Sequence, residues 1–199
     1  VDNGKGQQVL YAVPTLSLQP NFGEAAKYVN IADEAKVKVT NLKRGSNKSF
    51  LTDDLLSAFT FIDFVKETEF KKGKSKITFT FDKYRPLRSV MVYQSKLVSN
   101  GFDKINRIEF DYLSKTGAKN IAYIDDLKFD NDRFKVIYDP ETGVDLDQYM
   151  GYDPEVNYDF YRGTPAAIAE FDEIKVKEVR ITIDSDKPIN VSEIYLLGL

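Results

Sequence analysis

Cysteine, histidine and tryptophan are all absent from the 199 residues. Without cysteine there is no disulfide, no thiolate nucleophile and no thiolate metal site. Without histidine the usual general base and the usual zinc ligand are gone. Serine–histidine triads, the usual zinc hydrolases and His- or Cys-ligated haem are therefore excluded, leaving carboxylate chemistry, oxygen-ligated metal or binding without reaction. Long apolar runs are missing too. No stretch approaches the roughly 20 residues of a membrane helix, so no membrane insertion is expected, and none has the charged-then-apolar form of a leader. The formal net charge of −3 gives no overall attraction to nucleic acid, and none is expected as a partner. A start at Val1 suggests a mature product or a fragment of something longer, with neighbouring domains as partners.

What is present is strand pattern. The chain is 42% apolar, enough for one β-rich domain. From about residue 75 apolar and polar residues alternate with period two: Ile77, Phe79 and Phe81 face one way, Thr78 and Thr80 the other. Ser89 to Gln94, Asn106 to Tyr112 and Lys177 to Asp184 repeat the pattern, and Val191 to Leu197 is apolar enough for a central strand. Lys72-Gly73-Lys74, Asn100-Gly101 and Asp184 to Pro188 read as turns, as does Asp82-Lys83-Tyr84-Arg85-Pro86. Helical period is confined to a short helix or irregular turn at Asp53 to Phe64. The fold class is all-β, an antiparallel β-sandwich. Residues 1–29, with one strand-like run at Val9 to Val13, form a lead-in or the tail of a preceding module. Residues 139–165 lack alternation and are long for a loop in a compact domain, which marks them as a functional or a mobile insertion.

Asn30-Ile31-Ala32, Ala35-Lys36-Val37 and Leu51-Thr52-Asp53, with Ser57, Phe59 and the strand Ile77 to Asp82, resemble the discoidin-like, galactose-binding-like family of coagulation-factor C-type domains and bacterial carbohydrate-binding modules. Val179 to Ile183 and Ser192 to Gly198 resemble its paired closing strands. The match covers residues 30–199. It implies a jelly-roll sandwich carrying a non-catalytic carbohydrate-binding function in a larger secreted or cell-surface bacterial protein, with ligand held on loops at one end. Alternatives are a structural spacer or adhesion module that contacts protein, and a carboxylate-dependent glycosidase domain, whose acids must flank a cleft about 5–10 Å apart.

The resemblance also implies a structural calcium ion, held by the side chains of Asp53 and Glu193 with backbone carbonyls. Calcium takes ~6–8 oxygen ligands and accepts carbonyls. Asp54 stands where that family usually has Gly, but Asp tolerates a left-handed backbone better than most residues. A plain Asx-type turn is the alternative for Asp53-Asp54. Asp125-Asp126 and Asp130-Asn131-Asp132 lack the glycine and distal Glu of an EF-hand, and Asp145 and Asp147 alternate at a spacing that suits a shared cation; solvated carboxylates are the reading adopted for all of them.

A sugar site needs flat apolar faces and planar polar groups. With no tryptophan, loop tyrosines are the platform candidates: Tyr149, Tyr152, Tyr158 and Tyr161 with Arg162 in the insertion, and Tyr84 with Arg85 near the middle of the chain. The alternative is that they pack the insertion onto the sheet. Lys43 to Lys48 and Lys71 to Lys76 would suit an acidic glycan, although lysine also guards exposed sheet edges.

Overall fold

The computed structural model describes residues 27–55, 66–95, 98–129 and 166–199. Eight strands run through them: β1 (Val29–Asn30), β2 (Lys36–Val39), β3 (Thr68–Phe70), β4 (Gly73–Gln94), β5 (Lys104–Leu113), β6 (Lys119–Lys128), β7 (Ala166–Ser185) and β8 (Ile189–Gly198). All pairings among them are antiparallel.

β4 and β7 pair along almost their whole length and belong to both layers. The first half of β4 lies between β2 and the second half of β7, which continues to β5 and β6. The second half of β4 lies between the first half of β7 and β8, and β8 carries β1 and β3 on its other edge. The register shifts between Thr80 and Arg85 and again between Leu87 and Ser89. Such bulges bend a strand, which lets one strand turn the corner from one sheet to the other. The segment Asp82 to Pro86, expected from sequence to be a turn between strands, is therefore mid-strand. Its charged and proline residues break the alternation because they sit at the corner, where a missing ladder hydrogen bond is tolerated.

Between the layers the alternation resolves as expected. Ile77, Phe79 and Phe81 of β4 meet Ile105, Ile108 and Phe110 of β5, Val179 and Ile181 of β7, and Ile194 and Leu196 of β8 in one buried cluster. Each such side chain contributes about 1.5–3 kcal/mol by leaving water. Ile31, Leu51 and Phe70 close the same cluster from the amino-terminal segment. Gly198 is required there: a Cβ on it would lie 2.3 Å from the Pro86 carbonyl oxygen and 2.5 Å from the Ile31 side chain. β6 has no clean sequence signature, because apolar residues occupy both its faces. Ala122, Ile124 and Leu127 pack inward while Ile121 and Tyr123 are exposed. No helix among the described residues is long and apolar enough to cross a membrane, which says nothing of a β-barrel.

Candidate functional site

The loop between β2 and β3 is folded by its own polar residues. Asn41 takes a left-handed conformation (φ 62°) and donates its amide to the carbonyls of Lys71 (2.9 Å) and Lys72 (3.3 Å) and to Ser75 Oγ (3.1 Å). Ser46 Oγ accepts from the Glu69 amide at 2.7 Å, and Thr68 donates to the Asn47 carbonyl at 2.9 Å. Asn47 then caps a short 3-10 helix, Lys48–Leu51, by accepting from the Ser49 amide at 3.0 Å. The loop is thereby pinned against the start of β3.

The pinned loop forms one wall of an open groove of about 500 Å³, with Ser46, Asn47 and Phe50 on one side and Lys66, Glu67 and Asn190 among the residues opposite. That volume is in the range of a small-molecule site. Glu67 is held in place by Ser95 Oγ at 2.7 Å and by the Asn190 amide at 3.0 Å. The Phe50 ring supplies an apolar face, with the Lys66 ammonium 5.9 Å from its centroid. Directional donors and acceptors beside one flat ring are what a polyhydroxylated ligand needs. Phe50, Glu67 and Asn190 carry no local signal of this role, since they meet only when the loop, β3 and β8 are assembled.

The Asp53-Asp54 turn sits beside β8. Asp53 Oδ1 accepts from the Leu55 amide at 3.1 Å, the Asx turn given above as the alternative to a metal ligand, and Asp54 has φ 57°, a left-handed conformation that Asp tolerates. Asn30 ties the turn to the sheet, donating to Asp54 Oδ1 at 2.9 Å while its own oxygen accepts from the amides of Ala32 and Leu196. Glu193 faces this turn. It is 0% exposed, and neither of its carboxylate oxygens is in hydrogen-bond geometry with any partner. Burial, then the approach of Asp53 and Asp54, pushes its carboxyl up to about 9. The same burial and acids, Glu193 foremost, hold the Tyr195 hydroxyl well above its usual range. The two expected metal ligands are thus brought together, 140 residues apart in the chain. Among the described residues no three acidic, histidine or cysteine side chains form a metal cage by themselves, so a cation here needs carbonyl oxygens as well. A buried, unpartnered carboxylate beside a second one fits a hard cation: the donors are oxygens and the site is short of positive charge.

Tyr84 and Arg85 lie at the β4 corner. Arg85 donates Nε to the Leu199 carbonyl at 2.8 Å and pairs with Glu34, so it ties the chain's last residue to β4. Eight residues of strand, a span of up to about 30 Å, separate it from Gln94 at the groove end of β4. Tyr149, Tyr152, Tyr158, Tyr161 and Arg162 lie outside the described residues, as do Ser57, Phe59 and the whole of the 139–165 insertion. Of the other acidic clusters, Asp125 makes a two-pronged pair with Arg107 (2.6 and 2.8 Å), which lowers the Asp125 carboxyl, and Asp126 pairs with Lys104. Glu109 and Asp111 are gathered by Arg180 from β7, which also reaches Glu178.

No family model matches the sequence, and no curated protein matches it. Similar solved structures do exist. A fucose-binding module of Streptococcus pneumoniae superposes with a TM-score of 0.50 at 8% identity, over 86% of this chain and 96% of that one. The lectin-binding domain of lectinolysin in complex with Lewis b gives 0.49 at 11% identity, over 85% and 95%. Chitosan-binding module 1 of a Paenibacillus sp. chitosanase/glucanase gives 0.47 at 11%, over 84% and 98%. At these identities the likeness is one of fold. Taken with the strand order and the Leu51–Asp54 turn beside the closing strand, the likeness to the first of them gives the chain the discoidin-like, galactose-binding-like fold.

Proposed function

We propose that the chain is a non-catalytic carbohydrate-binding module of a larger secreted or surface bacterial protein, with the groove beside Phe50 as its sugar site. The observation that carries this reading is the groove itself, which sets an aromatic face among fixed amide and carboxylate groups at the loop end of the sandwich. The similar structures, named for binding fucose, Lewis b or chitosan, support it. The two acids lining the groove hold fixed structural partners: Glu67 bonds Ser95 and Asn190, and Glu69 pairs with Lys43. That arrangement suits recognition better than the proton transfer a glycosidase requires. Tyrosines of the 139–165 insertion are proposed as further contacts.

The second part of the proposal is a structural calcium ion held by Asp53, Glu193 and carbonyls of the turn. Such an ion would neutralise the buried acids and tie the amino-terminal turn to β8.

The test is a glycan array probed once with calcium and once with a chelator. Saturable binding that is lost in Phe50→Ala and Asn190→Ala, both with unchanged melting curves, supports the groove. Loss only on substitution of Tyr149, Tyr152 or Tyr158 moves the site to the insertion. A silent array overturns the carbohydrate reading in favour of a spacer or protein-contact module, and melting in calcium against chelator decides the metal independently.

A further inference from the structure

The positive charge of this acidic chain is concentrated in two segments that meet beside the groove. Residues 36–48 and 66–76 hold ten Lys and Arg against two Glu, a balance of +8 in a chain whose net is −3, so everything else stands at −11. The fold joins the two segments side by side. Thr40 and Lys76 exchange bonds, Asn41 and Lys71 are bonded through their backbones, and the Lys43 amide donates to the Glu69 carbonyl. Like charges are thus held together at a cost in repulsion. Few of them are neutralised: Lys43 pairs with Glu69, and Lys36 with Asp82. Among the described residues Lys38, Arg44, Lys71, Lys72, Lys74 and Lys76 have no ion-pair partner.

Edge protection accounts for Lys36 and Lys38, which alternate along the outer strand β2. It does not account for Arg44, Lys71 and Lys72, which lie in exposed turns beyond any strand edge. Arg44 immediately precedes Gly45 of the groove wall, and Lys71 and Lys72 follow Glu69 and Phe70 from the opposite side. A neutral sugar has no use for this rim. A chain of sugars bearing anions at each repeat would seat one ring in the groove and lay the next across the rim, where field from several ammonium groups adds.

We propose that the ligand of this site is an acidic polysaccharide, with carboxylate or sulfate groups bound by the rim formed by Arg44, Lys71, Lys72 and Lys74. The inference rests on the carbohydrate reading above and narrows its ligand class. The probes are heparin for sulfate, polygalacturonate for carboxylate, neutral galactan, polyglutamate and duplex DNA, each titrated against the purified chain. Heparin, polygalacturonate or both should bind at least about tenfold more tightly than the other three, and which of the two binds identifies the anion. Raising salt from about 50 mM to about 0.5 M should weaken that binding about tenfold or more, because exposed charges are screened. Lys71→Glu/Lys72→Glu/Lys74→Glu, with an unchanged melting curve, should abolish it, and Asn190→Ala should weaken the acidic sugars specifically. Galactan bound as tightly as the acidic sugars, with the triple variant unaffected, would overturn the acidic ligand and leave the carbohydrate reading standing. Equal binding of polyglutamate or DNA would also overturn it, by showing a general polyanion surface. If no polysaccharide binds, this inference fails, and the glycan array decides the broader reading separately.

Discussion

On β7, Glu178 and Arg180 point away from the sandwich core and meet Glu109 and Asp111 in a half-exposed charged ladder on the outer face of the first layer. On the outer face of the second layer Tyr93 and Tyr195 also point away from the core, yet they are 2% and 8% exposed and pack edge to face with centroids 5.5 Å apart. Tyr28, Met91, Ala166 and Leu197 join them in this second apolar cluster, and Glu193 is buried on the same face. Both faces draw on β4 and β7. The difference teaches that direction relative to the core does not decide burial here. A strand that crosses from one layer to the other carries its outward residues from a wet face to a dry one, and an acid is harmless on the first and costly on the second.

The contrast can be broken by substitution. Tyr93→Ala should cost about 3–5 kcal/mol, as loss of a buried aromatic side chain does, and denaturant titration would measure it. A value under about 1 kcal/mol would mean that the second face is not a true core.

Glu193 comes next. Its folded-state carboxyl sits at about 9 against an ordinary value of 4.5, so the stability that depends on its protonated form is complete below about 4.5 and is lost as pH rises through 9. In chelator the melting temperature should therefore fall between pH 5 and pH 9. Glu193→Gln should remove that slope and raise metal-free stability at pH 8 by on the order of 3 kcal/mol. The same variant should lose any stabilisation by calcium. A flat pH profile for the parent chain in chelator would contradict the burial of this acid.

On the wet face the effects are smaller. Arg180→Met leaves Glu109, Asp111 and Glu178 without their shared cation and should cost about 1 kcal/mol at low salt, less at about 1 M salt where repulsion among the three acids is screened. Tyr123, 60% exposed on β6 over Arg107, is the smallest case: Tyr123→Ala should fall within about 0.5 kcal/mol of the parent. A larger loss there would show that this face is covered in the folded protein.

Much of the fold was legible because period-two alternation reports directly which residues of a strand share a face. It located β5, the second half of β7 and both halves of β4, while β8 was found from its nearly continuous apolar run. It failed at Asp82 to Pro86, where the bulged corner of β4 takes residues that an ordinary strand rejects, and at β6, where Ile121 and Tyr123 on the solvent side blur the pattern. Of the candidate site residues, Asp53 and Glu193 came from resemblance, and the structure brings them together. Arg85 is engaged by Glu34 and Leu199, a tie that its flanking residues do not announce.

The sequence by itself determined the class of the molecule. Absent histidine and cysteine restrict its chemistry, and alternation makes it a sandwich, because both are properties of residue type and local spacing. It also placed ten cations in two short runs. Only the tertiary structure decided that those runs meet beside one groove, that Phe50, Glu67 and Asn190 share it, and that Glu193 is buried against Asp53. Each of these is a contact between residues far apart in the chain, set by how two long strands bend from one layer into the other.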